Sequence, residues 1–288
     1  MDFGKVLTAM VTPFDEALEL DLEKTTELVE YLIENGSDGL VVGGTTGESP
    51  TLSNDEKLTL FEHVAKVVNG RATVLAGTGS NNTKGTVELT KEASKTGVDG
   101  IMLVTPYYNK PSQEGLYQHF KQIAESTELP IMLYNIPGRS VVDLSTETTV
   151  RLSKIPNIVS TKDATGDLDR MSEIIEQTPS DFSLYSGDDG LTLPSLAVGS
   201  AGIVSVASHV IGNEMQEMVQ AFESGDVQKA RKLHRTLLPK MDACFMAPSP
   251  APVKAALNKK GINVGSVRLP LIPLNEEQEK QLFEELGL

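Results

Sequence analysis

The chain contains a β-strand that ends on a lysine, with the sequence Asn157-Ile158-Val159-Ser160-Thr161-Lys162-Asp163. The residues before Lys162 are β-branched or small, as is typical of a buried strand. Residues 164–167, Ala-Thr-Gly-Asp, predict a break directly after it. Lys162 is therefore predicted at the carboxyl end of a buried strand. A lysine there is either solvated at the surface or kept for a function, because desolvating its ammonium is costly.

Similar short apolar segments alternate with helical patterns along most of the chain. Strands are predicted at residues 5–11, 40–42, 72–76, 100–104, 130–134, 158–162, 182–185 and 202–206. Eight strands, nearly all followed by helices, predict a parallel sheet that closes into a (β/α)8 TIM barrel of the α/β class. Beyond the last strand the pattern is helical only. We therefore predict a barrel catalytic domain over residues 1–224 and a C-terminal helical subdomain over residues 225–288.

Charge and composition exclude several classes of partner. The net charge is −15, which argues against nucleic acid and against an anionic membrane surface. The same charge would repel an anionic substrate, so an anion site needs a local cation. No apolar run is long enough to span a bilayer, and the start of the chain has no signal-peptide pattern. The single cysteine, Cys244, suits a reducing compartment, so we expect a cytoplasmic protein.

Hydroxyl-bearing side chains follow several of the predicted strands. In a barrel of this kind the active site is built at the carboxyl ends of the strands. These ends carry Thr45, Thr46, Tyr108 and Tyr134 as well as Lys162. An amine in an apolar barrel mouth can attack a ketone, and neighbouring hydroxyls can relay the protons. The alternative is that Tyr134 is an ordinary strand-end aromatic and that the threonines simply suit tight turns; the residues alone leave both open.

Other chemistries have weaker support. The four histidines lie far apart in the sequence and lack the spacing of metal ligands, so we interpret them as surface or packing residues. Residues 77–79, Gly-Thr-Gly, lack the rest of a dinucleotide fingerprint. Asp188 and Asp189 could bind Mg²⁺, although a loop or helix-cap role is favoured.

Four motifs, taken together, resemble those of the dihydrodipicolinate synthase family. They are Gly-Thr-Thr-Gly-Glu at 44–48, Thr-Pro-Tyr-Tyr-Asn-Lys-Pro at 105–111, Tyr-Asn-Ile-Pro-Gly-Arg at 134–139 and Lys-Asp-Ala-Thr-Gly at 162–166. The first and last motifs are shared with the wider pyruvate-dependent class I aldolases, and the third is more specific to the synthases. The resemblance covers essentially the whole chain, including Ser-Gly-Asp-Asp at 186–189 and Ser-Val-Arg-Leu-Pro at 266–270.

The resemblance implies a mechanism for the condensation of pyruvate with L-aspartate 4-semialdehyde in the diaminopimelate and lysine pathway. Lys162 would form a Schiff base with pyruvate, and Tyr134, Thr45 and Tyr108 would relay protons. The resemblance further implies that Thr46 binds the pyruvate carboxylate and that Val204 lines the same pocket. Gly187, at the end of another predicted strand, is also expected to bind substrate. Arg139 would bind the carboxylate of the semialdehyde, which supplies the local cation that an acidic chain needs. We expect neither a cofactor nor a metal ion.

The resemblance also implies an assembly. The tyrosine that matches Tyr108 reaches into the neighbouring subunit's site in this family, so a homodimer is the minimal unit and a homotetramer, a dimer of dimers, is the usual form. Two positions depart from the family pattern: Asp163 stands where Glu is common, and Ser249 stands where Asn is common. Both lie outside the proton relay, so we expect them to affect loop packing rather than the reaction.

Two competing functions are kept as alternatives. One is another Schiff-base enzyme on the same scaffold, such as N-acetylneuraminate lyase or a keto-deoxy-sugar-acid aldolase, which Arg139 and the Tyr107-Tyr108 pair disfavour. The other is a catalytically silent paralogue that acts as a binding protein. The complete set of Lys162, Tyr134, Thr45 and Tyr108 argues against it.

Lysine inhibition is predicted to be weak or absent. Lysine-sensitive members of the family bind the inhibitor at the dimer interface, and Ser49, Asn81 and Tyr107 match part of that site. Asn54 and Lys57 instead stand where sensitive bacterial members carry two histidines, and Gly85 stands where they carry Glu. The ammonium of a bound lysine would meet the positive charge of Lys57 and would lack the carboxylate of the missing Glu, and both differences disfavour lysine binding.

Overall fold

Eight parallel strands, in sequence order, close into a barrel in the computed structural model, which describes residues 3–288. The strands are β1 (Val6–Ala9), β2 (Gly39–Val42), β3 (Thr73–Gly77), β4 (Gly100–Val104), β5 (Ile131–Asn135), β6 (Ile158–Asp163), β7 (Ser183–Ser186) and β8 (Gly202–Ser205). Closure is made by β8 and β1, where Val204 pairs with Leu7. The predicted TIM barrel is confirmed.

Helices follow the strands and continue beyond them. They are α1 (Leu22–Glu34), α2 (Asn54–Val68), α3 (Thr83–Ala93), α4 (Gln113–Ala124), α5 (Pro137–Ser140), α6 (Thr146–Leu152), α7 (Leu168–Gln177), α8 (Thr192–Ala197), α9 (Ser208–Glu223), α10 (Val227–Ala243), α11 (Ala251–Lys259) and α12 (Glu276–Leu286). Short 3-10 turns cover Ser49–Thr51 and Asp189–Leu191. Across residues 3–288, no helix combines the length and the apolar character needed to cross a membrane.

Helix starts were well encoded in the sequence. The Asp21 side chain accepts a hydrogen bond from the Lys24 N–H at the start of α1. Ser53 and Glu56 form a capping box at the start of α2. The helical segment predicted beyond the last strand begins at Ser208, and the non-helical Ile211 (φ −132°, ψ 33°) separates its first turn from the rest of α9.

The core has two parts, which follow from the alternation of side chains along each strand. One cluster of buried residues takes alternate positions of the strands and fills the barrel interior: Phe3, Leu7, Ala9, Val41, Leu75, Met102, Met132, Tyr134, Tyr185 and Val204. A larger cluster lies between the barrel and the helices, and it also contains Leu237, Leu257 and Leu282 of the C-terminal helices. The C-terminal helices therefore share a core with the barrel. The predicted boundary near residue 225 falls between α9 and α10.

A fully buried histidine of α9 joins the segments that directly follow the first and last strands of the barrel. The Nε2 atom of His209 accepts a hydrogen bond from the Val11 N–H at 3.1 Å. Its Nδ1 atom therefore carries the proton and donates to the Val206 carbonyl oxygen at 2.8 Å. Burial lowers the pKa of His209 to about 4. The imidazole is thus neutral in the folded protein and binds a proton when the chain unfolds at mildly acidic pH.

This histidine should make folding stability depend on pH. Because the pKa of His209 is lowered from 6.5 to about 4 on folding, the unfolded chain binds more protons between these values, and stability rises with pH through that range. The variant His209→Gln should remove up to about one proton from the uptake on unfolding. Denaturant unfolding at several pH values would show this as a shallower dependence of the free energy of unfolding on pH. The variant His63→Gln, at a half-buried histidine, is the control; an unchanged slope for His209→Gln would contradict the interpretation.

Candidate active site at the carboxyl ends of the strands

The barrel brings most of the predicted site residues to one end. Thr45 and Thr46 follow β2, Tyr108 follows β4, Tyr134 lies on β5, Arg139 on α5, Lys162 on β6, Gly187 directly after β7 and Val204 on β8. All of these positions are at or just beyond the carboxyl ends of the strands. Parallel strands present these ends on the same face of a barrel, which explains how residues far apart in sequence meet.

Lys162 and Tyr134 form the buried centre of this site. They are directly paired in the register of β5 and β6, so their side chains extend into the barrel at the same level. The Lys162 Nζ atom lies 4.1 Å from the centroid of the Tyr134 ring. Lys162 is 6% exposed and Tyr134 is 4% exposed. The amine is therefore held against an aromatic face rather than solvated, which rules out the interpretation of Lys162 as a surface lysine.

Gly187 makes room for the Lys162 side chain. A Cβ atom at this position would lie 2.8 Å from Lys162 Cε and 2.8 Å from Ala164 Cβ, which is closer than such atoms approach. Val204, on the next strand, is 1% exposed and belongs to the same interior cluster as Tyr134. Gly187 and Val204 therefore shape the surroundings of the amine, although neither supplies a reactive group.

A cavity of about 380 Å³ opens beside Tyr134. It is lined by Gly43, Gly44, Thr45, Ser49, Pro50, Leu52, Lys57, Gly77, Gly79, Ser80, Met102, Val104, Tyr107, Tyr134, Ile136, Arg139 and Ser140. This volume is in the range of small-molecule sites. Two of these residues, Lys57 and Arg139, are cations, and none of the described residues lining the cavity is Asp or Glu. The cavity thus suits a small anionic molecule.

The loop that carries Thr45 and Thr46 is folded back on itself. The Glu48 N–H donates to the Thr45 carbonyl oxygen at 3.1 Å, and the Ser49 N–H donates to the Gly44 carbonyl oxygen at 3.2 Å. Thr45 lines the cavity, whereas Thr46 is buried and is not among the lining residues. The turn thus holds the two threonines in different surroundings.

Tyr108 is the one predicted catalytic residue that a single chain does not bring into the site. Its side chain is 88% exposed and its backbone has φ +74°, an unfavourable conformation for a residue with a Cβ atom. The neighbouring Tyr107 lines the cavity instead, and its carbonyl oxygen accepts a hydrogen bond from the Asn81 side chain at 3.1 Å. Within one chain, Tyr108 therefore cannot join the proton relay.

Sequence reasoning missed a polar chain behind the two central residues. Asn135 directly follows Tyr134, and Asp163 directly follows Lys162. The Asn135 amide donates to Asp143 at 2.9 Å, Arg170 donates to Asp143 at 2.9 Å, and the Arg170 Nε atom lies 3.4 Å from Asp163. Burial raises the pKa of Asp163, while hydrogen bonds from Thr165 and the charge of Arg170 oppose the rise. The available signal was the presence of polar side chains directly after buried strand residues.

Asp189 has the capping role that the sequence favoured over magnesium binding. One of its carboxylate oxygens accepts hydrogen bonds from the Val206 and Ala207 N–H groups at 3.0 and 2.9 Å, at the start of α9. Asp188 accepts from the Gly190 N–H. Among residues 3–288, no group of three or more His, Cys, Asp or Glu is arranged to hold a metal ion.

The arrangement is suited to carbonyl chemistry. The Lys162 amine is buried against the ring of Tyr134 and is not itself among the residues that line the cavity, whereas Tyr134 and Thr45 are. A primary amine, a phenol and a threonine hydroxyl are the groups needed to form and protonate an imine. The two cations in the cavity wall would attract a substrate that carries carboxylates.

Comparisons with known proteins identify the family. The model of the dihydrodipicolinate synthetase family matches residues 2–287. The 4-hydroxy-tetrahydrodipicolinate synthase 1 of Halalkalibacterium halodurans is 64% identical over 282 residues, which cover 98% of this chain and 96% of that protein.

Solved structures agree with the sequence match. A dihydrodipicolinate synthase of Bacillus anthracis is 63% identical, with a TM-score of 0.98 over 100% of this chain and 98% of that one. A dihydrodipicolinate synthase of Cyanidioschyzon merolae with lysine bound is 45% identical, with a TM-score of 0.97 over 99% of each chain. This chain therefore belongs to the dihydrodipicolinate synthetase family.

Proposed function

We propose that this chain condenses pyruvate with L-aspartate 4-semialdehyde to 4-hydroxy-tetrahydrodipicolinate, a step in diaminopimelate and lysine biosynthesis. The observation that carries the proposal is the buried Lys162 amine, 4.1 Å from the Tyr134 ring centroid. Membership of the family and the names of its 58–64% identical relatives support the same activity.

The chemistry begins at Lys162. Its amine nitrogen adds to the keto carbon of pyruvate, and loss of water with uptake of one proton from the relay gives a protonated imine. A proton then leaves the pyruvate methyl group, which yields an enamine. The enamine carbon attacks the aldehyde carbon of the second substrate, and the aldehyde oxygen takes up a proton. Attack of the substrate's own amino group on the imine carbon closes the ring and releases Lys162.

Three hydroxyls would carry the protons for these steps. Tyr134 would donate and accept at the imine, because its ring is already in contact with the Lys162 amine. Thr45 lines the cavity and would extend the relay, with Tyr108 as its outer member. Thr46 and Val204 would form the pyruvate pocket, and Gly187 would leave space for the lysine stem.

Arg139 would bind the second substrate. It lies in the wall of the cavity, and its side chain is exposed enough to meet an incoming molecule. A guanidinium can hold a carboxylate through two parallel hydrogen bonds. An N-acetylneuraminate lyase or a sugar-acid aldolase would have to place a longer polyol chain in the same space.

A second copy of the chain would complete the site. Tyr108 is 88% exposed and lies outside its own cavity. In a homodimer its hydroxyl would enter the partner's relay. A tetramer made of two such dimers, and a cytoplasmic location, remain predictions from the sequence.

Borohydride trapping tests the proposed reaction. Reduction in the presence of pyruvate should fix one pyruvate-derived adduct on Lys162, because the imine is the species that borohydride reduces. Peptide mapping by mass spectrometry would locate it. An adduct on another lysine, or none, would defeat the mechanism.

The variant Arg139→Ala is the matched control for this test. It should keep pyruvate trapping but lose most condensation with aspartate semialdehyde, by roughly a hundredfold or more for a lost bidentate contact. Equal loss of both steps would make Arg139 a structural residue. Cleavage of N-acetylneuraminate by the unaltered enzyme, without condensation, would favour the rival aldolase activity.

Subunit complementation tests the role of Tyr108. Tyr108→Phe removes one hydroxyl from the relay and Lys162→Ala removes the nucleophile, so each homo-oligomer should be nearly inactive. Mixed dimers contain one site with both groups intact and should regain up to about a quarter to a half of the activity. Subunit exchange must be verified by mass spectrometry of differently tagged chains. No recovery despite exchange would place Tyr108 outside catalysis or within its own subunit.

Lysine should inhibit weakly or not at all. Lys57 lines the same cavity as Ser49 and Tyr107, so the ammonium of a bound lysine would face another cation there. Burial lowers the pKa of Lys57 because desolvation disfavours its charged form, which reduces this repulsion, and a second ammonium would meet the same desolvation cost. Gly85 supplies no carboxylate to compensate. Initial rates across a lysine titration would decide the matter, with Lys57→His as the variant expected to gain sensitivity; strong inhibition of the unaltered enzyme at submillimolar lysine would contradict this prediction.

A further inference from the structure

Two conspicuous residues of the motifs have no part in the proposed reaction, and they meet in the structure. Glu48 ends the motif at 44–48, and Arg268 is the centre of the motif at 266–270. Glu48 is 2% exposed. Beside it lies Lys254 of α11, which is also 2% exposed although lysine is rarely buried.

The Glu48 carboxylate is held on both of its oxygens. The Oε1 atom lies 2.8 Å from the Lys254 Nζ atom, in a charge–charge contact without hydrogen-bond geometry. The Oε2 atom accepts a hydrogen bond from the Arg268 backbone N–H at 2.8 Å. The Lys254 Nζ atom donates to the Ser266 carbonyl oxygen at 2.6 Å. A residue of the β2 loop is thus fixed by two segments that follow it by more than 200 positions.

The surroundings of this pair are apolar and rich in cations. The Lys254 Nζ atom lies 4.2 Å from the Phe14 ring centroid, and the Arg268 guanidinium carbon lies 4.3 Å from it. Burial lowers the pKa of Lys254 to about 8, and the charge of Glu48 opposes the fall. Removing either partner alone would leave a buried charge without compensation, which is strongly unfavourable.

The backbone of Glu48 connects its anchored side chain to the turn that contains Thr45 and Thr46. Glu48 has φ +57° and ψ 36°, a left-handed conformation that side chains with a Cβ atom rarely adopt without support. Its N–H donates to the Thr45 carbonyl oxygen, and the Gly47 carbonyl oxygen accepts from the Thr12 hydroxyl at 2.7 Å. Thr46 lies between these two fixed points. The residue whose side chain is anchored is therefore also part of the turn that presents Thr45 and Thr46.

We propose that Lys254 and Arg268 anchor Glu48, and that the Glu48–Lys254 pair is a positioning element for the threonine loop that receives the pyruvate carboxylate. This inference rests on the proposed function and assigns a role in the active site to the C-terminal helices.

A merely structural role explains the pair less well. Val253 and Leu257 of α11 already pack into the core shared with the barrel, so apolar contacts join this helix to the rest of the chain. A buried ion pair adds little to stability compared with apolar side chains of similar size. What it does provide is a defined direction for one side chain, here that of Glu48.

Steady-state kinetics of single and paired variants test the proposal. Lys254→Met should raise the pyruvate KM by about tenfold or more while the KM for the semialdehyde stays within about twofold, because only the pyruvate loop is disturbed. Glu48→Gln keeps the shape and an acceptor for the Arg268 N–H, so it should fold and show a smaller rise of the same kind. Lys254→Arg keeps the cation and should recover part of the loss.

Combining the two changes gives a sharper test. The variant Glu48→Gln/Lys254→Met should be no worse than Lys254→Met alone, because the two residues act as a unit and the uncompensated charge is removed. Additive losses in the pyruvate KM would show that the two residues act separately, against the proposal.

Two controls separate positioning from stability. Leu282→Ala destabilises the C-terminal helices without touching Glu48, and Lys229→Met removes an exposed ion pair with Glu217. Both should leave the pyruvate KM unchanged at temperatures below their melting points. If Lys254→Met or Glu48→Gln lowers the melting temperature like Leu282→Ala but keeps the pyruvate KM of the unaltered enzyme, the proposal is wrong. Failure of the unaltered enzyme to trap pyruvate would instead overturn the proposed function itself.

Discussion

The proposed active site depends on the register between β5 and β6. Tyr134 is opposite Lys162 in this pair of strands, so both side chains enter the barrel at one level and the amine meets the face of the ring. A slip of one residue would turn Lys162 toward the helices, because side chains alternate across a strand. Barrel closure fixes this register, since every strand is paired on both sides. The lysine and the phenol are thus in contact before any substrate binds.

Polar residues on the outer face hold this register in place. Asn135 and Asp163 are also paired opposite each other, one position beyond Tyr134 and Lys162. Outside the barrel interior, Asp143 and Arg170 connect the side chains of Asn135 and Asp163: Asp143 accepts hydrogen bonds from Asn135 and Arg170, and Arg170 lies beside Asp163. The inner face therefore carries Lys162 and Tyr134, the proposed reactive groups, and the outer face braces them. Asp163, where the resemblance to the family predicts Glu, is itself part of this brace through Arg170.

The sequence predicted local features well and long-range partners poorly. Strand β4 matches its predicted bounds, because periodicity acts over a few residues. Asp21 and Ser53 are residue types that favour helix caps and they cap α1 and α2, because capping is also local. The motifs also placed the reactive residues at one end of the barrel. Nothing local indicated that Glu48 would meet Lys254, since such a pair exists only after the C-terminal helices have packed. The single signal was a lysine within the apolar segment 251–257 of α11.

The charges around the barrel mouth explain how an acidic chain can bind an anionic substrate. A chain with a net charge of −15 must bind anionic substrates. Two carboxylates near the strand ends are neutralised locally: Glu48 faces Lys254, and Asp163 faces Arg170. The cavity wall, by contrast, contains Lys57 and Arg139, and none of the described lining residues is Asp or Glu. Because short-range pairing screens the buried acids while the exposed acids lie in high-dielectric solvent, an entering carboxylate interacts mainly with the two cations. The acidic surface and the anion-binding cavity are therefore compatible within one molecule.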